Sequence, residues 1–189
     1  LGVALPITAV QILWVNMITA VTLGIALAFE PTGEHVMRRP PRPRNQSLLS
    51  GMLVWYIALV SGLIIAAVFG MYQYTLAQGY SLEVARTVAM DTLVVMEISQ
   101  LFFIRNIRTL ELTWRDVIGT RAVWIAVTVV ALAQMAMTWM PWMQELFDTE
   151  GLTATQSLQV LSCGVALFVI LELEKQIRLR WPGWRRSTP

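Results

Sequence analysis

Apolar positions along this chain fall into five long blocks, which are separated by shorter segments rich in polar and charged residues. A helix needs about 20 mostly apolar residues to cross the hydrocarbon core of a bilayer, and each block reaches about that length. The pattern therefore predicts an all-α fold, a polytopic membrane helix bundle with five transmembrane helices. The predicted spans cover roughly residues 5–28, 51–74, 84–104, 121–140 and 155–173.

Composition agrees with this prediction. Hydrophobic residues make up 56% of the chain and charged residues only 14%, and the mean hydropathy is +0.59. These values are too apolar for a soluble domain of this size, so we expect a multi-pass protein of the plasma or inner membrane. The single cysteine, Cys163, lies within span five, where it can form no intrachain disulfide and no cysteine metal cluster. Residues 1–5 enter the first span without a secretory signal, which we interpret as the start of a fragment.

The distribution of Lys and Arg residues predicts the orientation of the chain in the membrane. Thirteen of the fourteen Lys and Arg residues lie in three segments that five spans would place on one side of the membrane. Because basic residues are retained on the cytoplasmic side, we expect an external N-terminus and a cytoplasmic C-terminus. Topology and attraction to anionic lipid then account for the net charge of +2 without nucleic acid. The three segments are the loop 30–50, residues 105–121, and the region after span five that includes Lys175.

Aromatic and acidic residues mark the predicted ends of the spans. Trp and Tyr favour the headgroup zone, so we interpret them as interfacial anchors. The loops around 78–83 and 141–155 carry acidic residues and are predicted to be solvated external surface. The anchors are Trp55, Tyr56, Tyr72, Tyr74, Trp139, Trp142, Trp181 and Trp184.

Glu97 is the most informative polar residue within a span. A carboxylate near the bilayer centre costs at least about 2.5 kcal/mol on insertion scales and is rarely kept without use. We predict that Glu97 lines an ion or proton pathway; the alternative is a structural acid bonded to a neighbouring helix. Gln100 shares its helix face and is a weaker candidate. Asp91 is also weaker, since it lies nearer the outside and could pair with Arg86 or with water.

Span one carries Asn16 and Thr19, followed by Ala20. At positions i, i+3 and i+4 these residues share one face of an α-helix. Amide and hydroxyl oxygens are neutral ligands for hard cations, although such groups also bond neighbouring helices. Pro6 and Gly24 would allow local unwinding of the span around a polar cavity.

A known family shares these features. Pro6, Gln11, Leu13, Trp14, Asn16 and Thr19, then ALAFEP at 26–31 and MRRPP at 37–41, resemble the sixth transmembrane helix and following loop of type II P-type cation-transporting ATPases, such as the calcium and sodium-potassium pumps. MDTLVVMEISQLF at 90–102 resembles their eighth helix, and LFVILELEKQIRLRW at 167–181 the end of their tenth. Residues 1–189 as a whole thus resemble the cation-ATPase C-terminal transmembrane domain, helices six to ten.

The resemblance implies a ligand set. It makes Asn16 and Thr19 neutral cation ligands and Glu97 the acidic one, with further ligands on helices four and five. Ala20 stands where the calcium and sodium-potassium pumps place an Asp. A unit charge pair at 4 Å is worth about 4 kcal/mol at an effective dielectric of 20, and about twice that for a divalent ion. We therefore expect a single cation site, or a monovalent cation or proton as cargo.

The resemblance also implies that the complete pump is driven by ATP hydrolysis. Family members are phosphorylated at an Asp-Lys-Thr-Gly-Thr motif, which this sequence lacks, so we expect no ATP hydrolysis and no cofactor in this chain alone. ATP and Mg²⁺ are expected for the complete pump. The expected partners are the lipid bilayer, the transported cation, and the remaining helices and cytoplasmic domains. The predicted coupling loop comprises Glu30, Pro31, Arg38, Arg39, Pro40 and Pro41, whose arginines could instead be plain topology signals.

Two other classes of protein remain open at this point. The chain could be a non-catalytic remnant or regulatory bundle that packs against a complete pump, in which case no phosphorylation motif would lie upstream. It could also be an unrelated carrier or membrane enzyme with Glu97 as a proton relay. A carrier should show proton flux in liposomes by itself, whereas part of a pump should show none. The sequence leaves the cation, its direction and stoichiometry, and the oligomeric state undecided.

Overall fold

The structure, a computed structural model, describes residues 5–29, 51–105 and 121–180. Regular secondary structure in these ranges is helical throughout, and a short π-helix interrupts the first span. The elements are α1 (Ala9–Val15), the π-helix (Asn16–Ala20), α2 (Val21–Ala28), α3 (Gly51–Ala77), α4 (Leu82–Arg105), α5 (Arg121–Trp139), α6 (Pro141–Phe147) and α7 (Ala154–Arg180).

Five of these segments are long and apolar enough to cross a membrane. The first span combines α1, the π-helix and α2, and the other four are α3, α4, α5 and α7. This confirms the predicted all-α bundle with five spans. Helices α3 and α7 extend beyond the predicted ends of spans two and five, because polar residues at a helix end continue the backbone hydrogen bonds after the apolar run stops.

Lys175 shows the consequence of that extension. We predicted it to follow span five, and the structure shows that it belongs to the same helix, in which Lys175 is fully buried. Its Nζ atom lies 2.8 Å from Glu172 Oε2 and 5.8 Å from the centroid of the Phe103 ring. The acid one turn earlier and the aromatic face of α4 compensate the buried ammonium group.

Side chains define where two spans begin. Thr8 caps α1 in a reciprocal capping box, in which its backbone amide donates to Gln11 Oε1 at 2.9 Å. The Gln11 backbone amide donates in return to Thr8 Oγ1 at 3.3 Å. Thr153 and Gln156 repeat the arrangement at the start of α7. Each box satisfies amides that the first helical turn leaves unpaired.

Helix α6 lies in a segment that we predicted to be a solvated loop. Pro141 cannot continue the hydrogen bonding of α5, but it suits the first position of a new helix. Asp148, in the left-handed region at φ 51°, ends α6 one turn after the buried Met143. The prediction is correct for the exposed acids of this segment and wrong for its apolar face, which packs into the bundle.

Helix α4 is the centre of the bundle. It packs most extensively against α7 and α3, and it also contacts α5 and α1. The core cluster around its middle joins the first span, α4, α5 and α6, so the position of α4 depends on all of them. The buried members are Val15, Met90, Val94, Val130, Met137, Met143 and Phe147.

Tyr72 departs from the predicted belt of interfacial aromatics. Only 1% of its surface is exposed, because its ring packs against Ala85 and Ala89 of α4. The small alanines leave room for the ring between α3 and α4. Its interpretation as an interfacial anchor is therefore wrong, whereas Trp55 and Tyr74 are exposed as an anchor would be.

Candidate cation-binding site

The first span widens into a π-helix at the predicted ligand residues, Asn16–Ala20. The π-helical turn is rare and occurs frequently at functional sites. The irregularity that we expected near Pro6 or Gly24 therefore falls between them. It also changes the predicted face: Thr19 is buried in the bundle, while Asn16 and Ala20 are exposed. The α-helical spacing that would have grouped the three side chains does not hold in this segment.

Thr19 faces Glu97 across the interface between the first span and α4. The Thr19 side chain lies within interaction range of the Glu97 carboxyl group. Its hydroxyl donates its single proton to the Val15 carbonyl oxygen at 2.7 Å. The lone pairs of the hydroxyl are therefore the part of Thr19 that remains available to a cation.

Glu97 itself is half-buried on α4. Its Oε2 atom is buried and accepts no hydrogen bond from any residue that the structure describes. Buried polar atoms are almost always paired, so an unpaired carboxylate oxygen requires a reason. A bound cation or proton would satisfy this oxygen, and a buried acid without either would be costly.

Gln100 lies one turn further along α4, with its side chain near Tyr56 of α3, although the buried Tyr56 hydroxyl has no hydrogen-bond partner among the described residues. Tyr56 in turn stacks on Phe103, with 5.8 Å between the ring centroids. Gln100 is thus directed toward the α3 interface, whereas Glu97 meets Thr19. The structure brings together Thr19 and Glu97 and places Gln100 near Tyr56 instead.

Asp91 belongs to a different cluster. It is buried between α4 and α5, where its Oδ1 atom accepts a hydrogen bond from Gln134 Nε2 at 2.6 Å. Thr138 Oγ1 lies 3.2 Å from both carboxyl oxygens. The expected pairing of Asp91 with Arg86 is not formed, because Arg86 extends instead to the Leu5 carbonyl at 3.4 Å.

Gln134 and Thr138 were not singled out from the sequence. Both are neutral, so neither carries the insertion cost that made Glu97 conspicuous. Their spacing of four residues in an otherwise apolar helix was the available signal, since it places both on one face of α5.

Helix α6 holds the N-terminal part of the first span. Gln11 Nε2 donates to the Phe147 carbonyl oxygen at 2.8 Å, and both groups are buried. The Trp14 and Phe147 rings lie 5.0 Å apart between centroids. Val15, directly before the π-helix, packs into the same cluster. The π-helical segment is therefore anchored on its N-terminal side by residues that precede it.

The predicted coupling loop, from Glu30 to Pro41, lies outside the described residues. Within the described ranges, no group of three or more His, Cys, Asp or Glu side chains converges as a metal-binding cluster. Any cation held beside Glu97 would therefore rely mainly on neutral oxygens from this part of the chain.

Comparison with known proteins gives a consistent assignment. Residues 4–177 match the family described as "Cation transporting ATPase, C-terminus". The probable cation-transporting ATPase F of Mycobacterium tuberculosis is 38% identical over 171 residues, which is 90% of this chain and 19% of that protein. Cation-transporting ATPase pma1 of Synechocystis is 32% identical over 154 residues, 79% of this chain and 17% of its own length.

A calcium-transporting ATPase type 2C member 2 from Mus musculus is 28% identical over 171 residues, 90% of this chain and 18% of its own. The chain thus spans about a fifth of the length of the curated relatives it matches.

Proposed function

This chain belongs to the family of cation-transporting ATPase C-terminal regions, as its resemblance predicted, and on that premise we propose that it forms part of the cation pathway of a P-type ion pump. The chain is a multi-pass membrane protein with five candidate spans. In the proposed pump, ATP hydrolysis with Mg²⁺ takes place in a part of the protein outside these residues, and the loop 30–50 meets that part on the cytoplasmic side.

One observation carries the proposal. Thr19, in a π-helical segment of the first span, lies beside Glu97, whose buried Oε2 atom has no partner among the described residues. A hydroxyl oxygen with free lone pairs and an unpaired carboxylate oxygen form two ligands of a hard-cation site. A widened helical turn is suited to presenting such ligands within a membrane.

Asn16 completes the ligand set on the other side of the π-helix. Its side chain is exposed in this chain, and an exposed amide inside a membrane needs a polar neighbour. We assign that side to the pump helices that the resemblance implies outside this chain. Asn16 would then line the cation pathway from the side of those helices, while Thr19 and Glu97 line it from within this bundle.

The charge of this site favours a single cation. Ala20 supplies a methyl group where the resembling pumps carry a carboxylate, and that loss amounts to about 4 kcal/mol per unit charge at 4 Å and an effective dielectric of 20. Among the relatives, the mouse protein is named for calcium, whereas the more similar bacterial proteins are named only for cations. We propose one site, in which Glu97 provides the negative charge from this chain.

The proposal is tested with Glu97→Gln in the complete pump. The substitution removes the charge and keeps the shape, so cation-stimulated ATPase turnover should fall at least tenfold, as expected when an intramembrane functional acid is neutralised. Glu83→Gln is the matched control, because Glu83 is an exposed acid on the same helix. Equal turnover of Glu97→Gln and the parent across cation concentrations would assign Glu97 to structure.

A second measurement addresses the carrier alternative. This chain alone, reconstituted in liposomes with a pH gradient, should give no proton flux above that of empty vesicles. Flux that disappears in Glu97→Gln would instead support an independent proton carrier.

A further inference from the structure

The contact between α4 and α5 contains an acid that the proposed cation site does not use. Asp91 is 8% exposed, and its two partners, Gln134 and Thr138, are 9% and 0% exposed. The surrounding residues of the two helices, including Met90 and Val130, are apolar core residues. Asp91 is thus enclosed with two neutral polar groups in an apolar setting.

The hydrogen-bond donors and acceptors around Asp91 show whether its neutral or its ionised form fits this setting. The Thr138 hydroxyl has one proton, and its oxygen lies 3.0 Å from the Gln134 carbonyl oxygen, four residues earlier on α5. Hydroxyls elsewhere in the spans donate to the carbonyl four residues before them, at Thr19, Thr75 and Thr92. If Thr138 does the same, a lone pair of its oxygen faces Asp91.

A neutral carboxylic acid completes this arrangement. Gln134 Nε2 donates to Oδ1, a proton on Oδ2 is donated to Thr138 Oγ1, and Thr138 donates to the Gln134 carbonyl. Both carboxyl oxygens and the Thr138 hydroxyl then have a partner. An ionised carboxylate would instead face the oxygen lone pair, or it would take the Thr138 proton from the carbonyl.

No positively charged side chain among the described residues pairs with Asp91. The ionisable groups nearest to it along α4 are Arg86, which bonds the Leu5 carbonyl, and Glu97, six residues later. From α5 it meets neutral side chains, and α6 contributes the amide of Gln144, which bonds the Thr138 carbonyl at 2.6 Å.

We propose that Asp91, Gln134 and Thr138 form a proton-binding site, separate from the cation ligands, in which Asp91 carries the proton. The ligand is a hydrogen ion, which adds to Oδ2 and is held by Thr138 Oγ1. The site adjoins the contact between α6 and the N-terminal part of the first span. The Thr138 carbonyl accepts a hydrogen bond from Gln144 of α6, and the Phe147 carbonyl of α6 accepts one from Gln11. Separation of α4 from α5 would expose the proton to exchange. The proposal does not depend on which cation Glu97 binds.

Infrared spectroscopy of the complete pump in lipid at neutral pH tests this directly. The difference spectrum between the parent and Asp91→Asn should show the loss of a protonated carboxyl carbonyl band. The same band should remain in Glu97→Gln, which is the matched control for a second intramembrane acid. Loss of carboxylate bands in Asp91→Asn, or loss of the protonated band only in Glu97→Gln, would overturn the proposal. Neither result depends on transport, so the two proposals fail separately.

Folding is a separate control. An asparagine amide can donate to Thr138 and accept from Gln134 as the neutral acid does, so Asp91→Asn should melt close to the parent. If this variant does not fold, Thr138→Val provides the second test, because it removes the acceptor of the Asp91 proton. The protonated carbonyl band should then shift in frequency, and an unchanged band would contradict the assignment.

Discussion

Gly164 provides a quantitative test of how α7 packs on α4. A Cβ atom added at this position would lie 2.5 Å from Val95 Cγ1, 2.7 Å from Ser99 Oγ and 3.3 Å from the Val95 carbonyl oxygen. Ordinary contacts begin at 3.4 Å, so the two helices would have to move apart by about 1 Å. Rotamer changes offer little relief, because a β-branched valine is stiff at χ1 in a helix and the carbonyl belongs to the backbone.

The expected cost follows from two opposing effects. Overpacking of a well-packed contact costs about 1–3 kcal/mol, while replacing a helical glycine with alanine gains about 0.5–1 kcal/mol. Gly164→Ala should therefore destabilise the protein by roughly 1 kcal/mol, within a range of about 0–2.5 kcal/mol. Gly70→Ala is the matched control, since Gly70 lies in α3 with no atom within 4 Å of an added Cβ. That variant should be as stable as the parent or more so.

The stability of both variants is measured by thermal unfolding in a fixed mixture of lipid and detergent, with circular dichroism as the signal. Gly164→Ala should unfold below the parent and Gly70→Ala at or above it. Val95 and Ser99 flank Glu97 on α4, so the same displacement should also weaken cation activation of the complete pump. If Gly164→Ala is no less stable than Gly70→Ala, the close approach of α4 and α7 is not a packing constraint and this reasoning is refuted.

Two further substitutions test the first span. Ala20→Asp restores a charge at a position that is exposed in this chain, and it should shift the cation dependence of ATPase activity toward divalent ions. Identical dependence in both proteins would contradict the charge argument. Gln11→Met leaves the buried Phe147 carbonyl unpaired, which should cost about 1–3 kcal/mol and lower the unfolding temperature. The exposed Gln73 on α3 supplies the control Gln73→Met, and equal unfolding temperatures would show that α6 does not hold the first span.

The sequence was sufficient to predict the five spans, because their apolar length is a direct requirement of the bilayer. Glu97 was equally visible, since a charge in a span stands out from every neighbour. The π-helix could not be predicted from the sequence. Its five residues differ from an α-helix only in backbone register, which packing against α4, α5 and α6 selects. The predicted grouping of Asn16 with Thr19 assumed a regular helix and for that reason did not hold.

Helix α6 and the Asp91 cluster show a second limit. The seven residues of α6 are too short for a helical period to be recognised, and the nearby acids suggested a solvated loop. The partners of Asp91 lie on another span, more than forty residues away in sequence. Neutral Gln and Thr residues give a weak signal, so their convergence on Asp91 required the three-dimensional arrangement of α4 and α5.

The Asp91 cluster also bears on the identity of the cation. If Asp91 were free, it could replace the carboxylate that Ala20 lacks, and the charge at the site would be restored within this chain. Its oxygens are instead bonded to Gln134 and Thr138 on α5, and moving them toward Thr19 would leave the buried Gln134 amide unpaired, at about 1–3 kcal/mol. Within the described ranges, Glu97 is thus the acid positioned beside Thr19. A divalent ion would need its remaining negative charge from other helices of the pump, whereas a monovalent ion would be balanced by Glu97 alone.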